Sequence, residues 1–397
     1  MLVLREISAT LITVAKKYPV ITITGPRQSG KTTLVKTVFP DYQYFTLEDP
    51  DIRELAITDP REFLKKAGNG AILDEIQRAP ELMSFIQGIV DSNKKNGMFV
   101  LTGSHQFDLF NAISQSLAGR TAILTLLPFS FSELDKIKKR FSVDGYLQHG
   151  FYPGIHDRKL EPVTAYKNYF ETYIQRDLRQ IVNIKDLRTF QKFVRLCAGR
   201  IGQLYSASSL SNDLGVSVPT VNSWVSILAA SYIIFLLEPF HENIGKRLIK
   251  SPKLYFHDVG LASYLLGIET VSQMQRDPLR GNLFENMVIG ELMKKRFNQG
   301  LDHNLFFYRD SNGNEVDVLY KQASRFTSVE IKAASTYTGD FLKGIVKLRR
   351  QLKNLDPEAY LVYSGKQEMK VEGIQLLNFK NTERIIPPVE KTRSIKK

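Results

Sequence analysis

Short apolar runs rich in β-branched residues alternate with helical patterning over the first third of the chain. Residues 19–24, 42–47, 70–74, 98–102 and 122–127 each have the length and composition of a buried strand. Between them, residues 33–38 and 80–93 carry apolar positions at three- and four-residue steps, as does the leading segment 4–17. Asp59-Pro60 reads as a helix cap followed by a proline in the first turn. Strands alternating with helices predict an α/β unit with a parallel sheet. From 129 to about 192 the pattern is mainly helical. Residues 207–214 form a short helix stopped at Gly215, and Ser217 caps a second helix running through Val221, Trp224, Val225 and Leu228. Strand-like runs follow at 232–237 and 253–256. The last third predicts a helix over 281–297, a hairpin of 304–309 and 315–320 about a turn at 310–313, and strands at 328–332 and 359–363.

Composition narrows this little. The 397 residues are 43% hydrophobic and 24% charged, ordinary for a soluble protein of two or three domains. No run approaches a membrane span, and the first residues lack the build of a secretory signal. The single cysteine, Cys197, leaves no internal disulfide and no Cys-based zinc site, which suits the cytoplasm. The net charge of +13 favours a nucleic-acid partner only modestly, since an acidic partner or solubility also accounts for it.

The chemistry is concentrated where the strand patterns end. Gly25-Pro26-Arg27-Gln28-Ser29-Gly30-Lys31-Thr32, followed by Thr33, fits G-x-x-x-x-G-K-[ST] between a strand and a helix. Successive backbone N–H groups and the helix N-terminus make an anion site for phosphates. Lys31 adds charge for the β- and γ-phosphates, and the Thr32 hydroxyl suits Mg2+. The run 70–75 ends in Asp74-Glu75, where Asp74 suits Mg2+ and Glu75 suits polarising the attacking water. Thr102 or Ser104, after the next strand, is placed to sense the γ-phosphate, and the pattern does not choose between them. Arg120 is read either as an arginine stabilising charge on the γ-phosphate or as a surface ion pair.

The strings GPRQSGKTTL, AILDEIQRAPEL, FVLTGSHQF, SLAGR and LLPFSFSEL resemble the prokaryotic AAA-type ATPases whose P-loop core precedes a restriction-endonuclease-like C-terminal domain. The resemblance covers nearly the whole chain. It implies an α/β fold with an AAA-type P-loop core at 1–128, a helical lid at 129–192, a winged-helix-like segment at 193–270, a nuclease-like domain at 279–380 and a basic tail at 381–397. It also implies ATP rather than GTP, with Mg2+, and it points to Arg176-Asp177 in a lid helix over 166–178.

In the middle, Thr220, Asn222, Ser223 and Ser226 face outward on the second helix, without an arginine for guanine readout. Lys246, Arg247, Lys250 and Lys253 sit where a wing would touch phosphate. Near the end, Glu330 and Lys332 share one face of a strand. With Asp317 on a neighbouring strand and Glu285 on the preceding helix, they form a candidate metal site for phosphodiester hydrolysis, resembling the PD-(D/E)xK nucleases. The expectation is an Mg2+-dependent ATPase working on nucleic acid, DNA favoured. Open beside it stand a protein partner for the winged-helix-like segment, a homo-oligomer, and a nucleotide switch whose nuclease-like module is inactive.

Overall fold

The computed structural model describes residues 3–66, 68, 70–104, 113, 115–175, 186–240, 250–351 and 358–388. Five strands, β1 (Val20–Thr24), β2 (Gln43–Thr46), β3 (Ala71–Asp74), β4 (Phe99–Thr102) and β5 (Thr121–Thr125), form a wholly parallel sheet in the order β2-β3-β4-β1-β5. Alternate side chains feed two cores, as in a sheet covered on both faces. Val20, Ala71, Leu73, Phe99 and Leu101 pack with Leu82, Ile86 and Val90 of the helix Leu82–Asn93. Ile21, Ile23, Ile72, Val100 and Leu124 pack with Leu34 and Val35 of the P-loop helix Lys31–Val38 and with Ile7 and Leu11. The parallel arrangement brings Thr24, Asp74 and Thr102 to one edge, the carboxyl edge at which open α/β sheets bind ligands.

The middle of the chain carries the helices Pro162–Tyr169, Leu187–Gly199, Ala207–Leu214 and Val218–Ala230. Gly215 ends the third at φ 69, and the Ser217 hydroxyl accepts from the Thr220 amide to start the fourth. β6 (Ile234–Leu237) and β7 (Lys253–Phe256) then pair antiparallel, with Leu204 bridging to Lys253. The C-terminal sheet has the order β12-β13-β11-β10-β9-β8, built from β8 (Leu305–Arg309), β9 (Glu315–Gln322), β10 (Arg325–Lys332), β11 (Glu358–Tyr363), β12 (Lys370–Val371) and β13 (Ile374–Asn378).

The helix Arg280–Asn298 is the pivot between these parts. Twelve of its residues are buried, among them Glu291, Lys294 and Arg296, so it is enclosed all round rather than amphipathic. Its Asn286 exchanges hydrogen bonds with the Phe256 backbone, Lys294 donates to Phe129 O, and Thr10 donates to Asn298 O. A single apolar cluster runs from Leu127 through the middle helices and this helix to Ile386. No helix among the described residues is long and apolar enough to cross a membrane.

Candidate functional site

Backbone geometry explains the P-loop glycines. Gly25 sits at φ 139, where a Cβ would lie 2.1 Å from Leu126 O, and Gly30 opens the helix at φ 92. The loop is braced from below by Arg5, which is buried and carries no sequence signature. Its guanidinium donates to Ser29 O (2.7 Å) and Leu127 O (2.6 Å) and pairs with Glu133 (2.9 Å). Lys31 is buried, with its ammonium donating to Gly25 O and Pro26 O at 2.9 Å each. Burial pulls its pKa down to about 8 against the opposing pull of Glu75 and Asp74.

Asp74 ends β3 among neutral donors. Thr32 (2.9 Å), Tyr44 (2.7 Å) and Thr102 all donate hydroxyl hydrogen bonds to its carboxylate. A hydroxyl and a carboxylate at this spacing below a phosphate loop are an oxygen donor set that fits Mg2+. Glu75 follows at φ 56, a left-handed conformation that turns its side chain off the strand. Its amide donates to Thr102 Oγ1 (3.3 Å), and its carboxylate accepts from Ser104 (3.0 Å) and Gln77. The two polar residues at the end of β4 and just beyond it therefore divide the work: Thr102 orders Asp74, and Ser104 orders Glu75. Tyr44 and Gln77 gave no sequence signal, because their roles arise only once neighbouring strands and loops meet.

A cavity of about 700 Å³ lies above this floor. Arg27, Gln28, Gly30, Lys31, Thr32, Thr33 and Glu75 line one wall, and Tyr152, Arg158, Tyr169 and Tyr173 contribute to the other. Gly25, Pro26 and Ser29 are buried and do not line the cavity. That second wall is built from residues 152–160 and from the helix Pro162–Tyr169 with its continuation as π-helical turns over Phe170–Gln175. Tyr166 anchors it, donating to His149 O (3.0 Å) and Asp258 (2.5 Å). Arg176 and Asp177 lie outside the described residues, as do Lys246, Arg247 and the tail from 389.

Arg120 is not part of this site within the chain. It precedes β5, and its carbonyl accepts from the Val20 amide at the start of β1, so it stands at the edge of the sheet opposite the P-loop. There it pairs with Asp91 at 2.6 Å. Of the two readings of Arg120, the surface ion pair is the one found within the chain.

The second constellation assembles in part. Lys332 lies 2.6 Å from Glu330 and 3.6 Å from Asp317, whose carboxylate also accepts from the Ile331 amide (2.7 Å). Burial, with Asp317 nearby, raises the Glu330 pKa. Glu285 is engaged elsewhere: Lys253 Nζ lies 3.1 Å from it, and Tyr255 donates to the same oxygen. Lys253 also pairs with Glu315 at 2.5 Å, and Arg309 meets Glu315 at 3.2 Å. Burial works against the Lys253 charge, but Glu285, Asp317 and Glu315 outweigh it and raise its pKa. Lys253 is therefore buried among carboxylates and is not a wing residue open to phosphate. Among the described residues, no group of three or more His, Cys, Asp and Glu side chains is disposed to hold a metal ion. The expected site of Glu285, Asp317 and Glu330 does not fit a divalent metal in this arrangement, because lysines already meet the carboxylates.

Comparison with known proteins follows these divisions. Residues 17–135 match the family described as AAA domain. Residues 140–272 and 280–381 match two families described as domains of unknown function (DUF8612 and DUF4143). An uncharacterized protein of Mycobacterium tuberculosis is 30% identical over 341 residues, covering 84% of this chain and 74% of that protein. The chain belongs to that protein's family. An uncharacterized relative from Haemophilus influenzae is 24% identical over 275 residues, 66% of this chain and 64% of its own length. Among solved structures, a Walker-type ATPase of Pyrococcus abyssi aligns with TM-score 0.46 at 15% identity, covering 67% of this chain and 96% of that one. The RuvB Holliday junction branch migration motor of Thermotoga maritima aligns with TM-score 0.30 at 18% identity, over 59% and 89%. Within this family member, the stretch that matches the AAA domain carries the parallel sheet and its P-loop.

Proposed function

We propose that the protein binds ATP with Mg2+ and hydrolyses it to ADP and phosphate, in the cytoplasm. One observation carries this reading. Asp74 is bonded to the Thr32 hydroxyl, and Glu75, the next residue, is turned out and held by Ser104 beside the same cavity. The loop amides and Lys31 would hold the phosphates, and Thr32 with Asp74 would hold Mg2+. Bound there, Mg2+ supplies charge neutralisation of the phosphate oxygens. Glu75 orients and deprotonates water at its carboxylate, while Ser104 and Gln77 fix the direction in which that carboxylate points. Lys31→Ala should abolish phosphate release from ATP, and a variant that retains turnover would overturn the assignment.

We further propose that hydrolysis is coupled to nucleic acid, with DNA favoured, through the winged-helix-like helices Ala207–Leu214 and Val218–Ala230. Their spacing, the exposed Asn222, Ser223 and Ser226, and the basic charge of the chain support this. DNA affinity that does not fall from low to physiological salt would refute a phosphate-tracking role. For the C-terminal sheet, the engagement of Glu285 by Lys253 favours the second reading, a nuclease-like module without catalysis. Cleavage of DNA or RNA with Mg2+ or Mn2+, lost in Lys332→Ala, would overturn that second reading.

A further inference from the structure

The C-terminal sheet carries a second concave site, at the opposite edge from Asp317 and Glu330. A cavity of about 1220 Å³ opens where the β9–β10 turn, the start of β11 and the end of the helix Arg280–Asn298 meet residues 384–388. Strand β10 runs from Arg325 at this cavity to Lys332 at the acid cluster, a rise of about 23 Å. Four cations line the cavity, Arg296, Lys321, Arg325 and Arg384, against one carboxylate, Glu358, among the described residues. Arg296 is 8% exposed, and its guanidinium is aimed by two acceptors, Asp302 O (2.8 Å) and the Tyr320 hydroxyl (3.0 Å). Arg384 pairs with Glu368 at 2.9 Å, whereas Lys321 and Arg325 have no carboxylate partner among the described residues. Like charges gathered in a cleft repel one another and focus their field into it, and an anion between them removes that cost. The lining offers more than charge. Gln299 Oε1 is buried with no hydrogen-bond partner while its Nε2 donates to Pro387 O (3.1 Å), and the ring of Tyr360 is half-buried in the same wall. An orphaned amide oxygen accepts from a donor such as a base amine, and a part-open aromatic ring takes the face of a base. Pro387 and Pro388 also line the cavity, and the sequence that follows them, residues 389–397, holds four lysines and arginines against one acid.

We propose that this cavity binds single-stranded nucleic acid, with its cations on the phosphates and with Tyr360 and Gln299 on a base. The recessed Arg296 is reached only by a chain thin and pliant enough to enter, which a stiff duplex is not. The strand so held lies away from Asp317, Glu330 and Lys332, so the sheet grips it without presenting it for cleavage. The inference rests on the nucleic-acid reading above and gives that reading a surface distinct from the helices Ala207–Leu214 and Val218–Ala230.

The test is fluorescence anisotropy of a labelled, mixed-sequence DNA strand with the full chain, titrated at several salt concentrations. Lys321→Ala with Arg325→Ala should weaken binding about tenfold and lower the slope of log affinity against log salt by about 1.4, at about 0.7 per phosphate contact on a single strand. Tyr360→Ala should weaken binding and leave that slope unchanged, and Glu358→Gln should tighten it. Wild-type binding that all these variants leave intact, slope included, overturns the proposal while the nucleic-acid reading stands. A wild-type chain that binds no strand overturns both. Poly-glutamate of equal charge bound as tightly as DNA would overturn the choice of nucleic acid over an acidic protein. Lys321 lies over the rings of Phe240 and Phe326, 5.8 Å from each centroid. Should its removal unfold the chain, Arg325→Ala alone, at an exposed turn, must lower the slope by about 0.7, and an unchanged slope there overturns the proposal.

Discussion

Two groups of acids in this molecule are built from similar residues and prepared for opposite ends. At the P-loop, Asp74 and Glu75 are held by hydroxyls and an amide side chain: Thr32, Tyr44, Thr102, Ser104 and Gln77. These donors fix direction without supplying charge, so the carboxylates retain the negative field that a divalent ion needs. Lys31 stands nearby, but its ammonium is bonded to loop carbonyls. In the C-terminal cluster three cations, Lys253, Lys332 and Arg309, join the neutral donors Tyr255 and Ile331 N. A carboxylate met by neutral donors is ready for a metal, and one met by lysines is already compensated. Counting acids along a sequence does not separate these cases; the charge of the donors does.

The comparison can be broken most sharply at the catalytic end. Glu75→Gln should keep nucleotide binding and lower phosphate release by about 100-fold or more, the usual worth of a positioned general base. A variant that hydrolyses at the wild-type rate would show that the neutral-donor site is not prepared for chemistry. The next effect concerns stability. Lys253→Met leaves the buried Glu285 without its ion-pair partner and Glu315 with Arg309 alone, and should cost about 3–5 kcal/mol in urea unfolding, as for a broken buried ion pair. Asp74→Asn removes a carboxylate bonded by the hydroxyls of Thr32, Tyr44 and Thr102 and should cost much less. Equal losses at the two positions would erase the distinction.

A smaller effect is expected in the proton balance of nucleotide binding. Burial lowers the Lys31 pKa to about 8, so near pH 8.5 much of the free protein carries neutral Lys31. Polyphosphate beside the amine favours its charged form, so binding should take up a proton at pH 8.5 and none through Lys31 at pH 6.5. Calorimetry in buffers of different ionisation heat, with Lys31→Met as the reference, reads this uptake directly. No difference from the reference at pH 8.5 would place the lysine in a wetter setting than the structure gives it. Smallest of all, Arg120→Ala should leave the turnover of an isolated chain within about twofold, since an exposed pair contributes little. A larger loss that grows with protein concentration would point to a neighbouring copy as the recipient of this arginine.

Local features were the most legible. The P-loop is contiguous, and its glycine positions follow from the turn it must make, so residues 25–32 and the flanking strand and helix emerge from pattern alone. Asp74-Glu75 at a strand end, the Gly215–Ser217 break and the hairpin around 310–313 are equally local. What failed depends on direction or on distant partners. Arg120 required knowing that β5 runs parallel to β1, which puts its first residue far from Gly25. Lys253 resembled a wing residue because its partners, Glu285 and Glu315, lie more than thirty positions away and meet it only through packing. Arg5 could not be read at all, since nothing near it in sequence announces that it will support Ser29.

The enclosed helix Arg280–Asn298 has a consequence for how the chain is made. The family boundaries near residues 140 and 280 suggest three parts that fold in turn as synthesis proceeds. The apolar cluster from Leu127 to Ile386 crosses the later boundary without interruption. A nascent chain ending before residue 280 would expose the surfaces that Leu283, Phe284, Met287 and Leu292 are to cover. The middle third must therefore wait for the last third to leave the ribosome, an interval of exposed apolar surface that favours prompt chaperone capture.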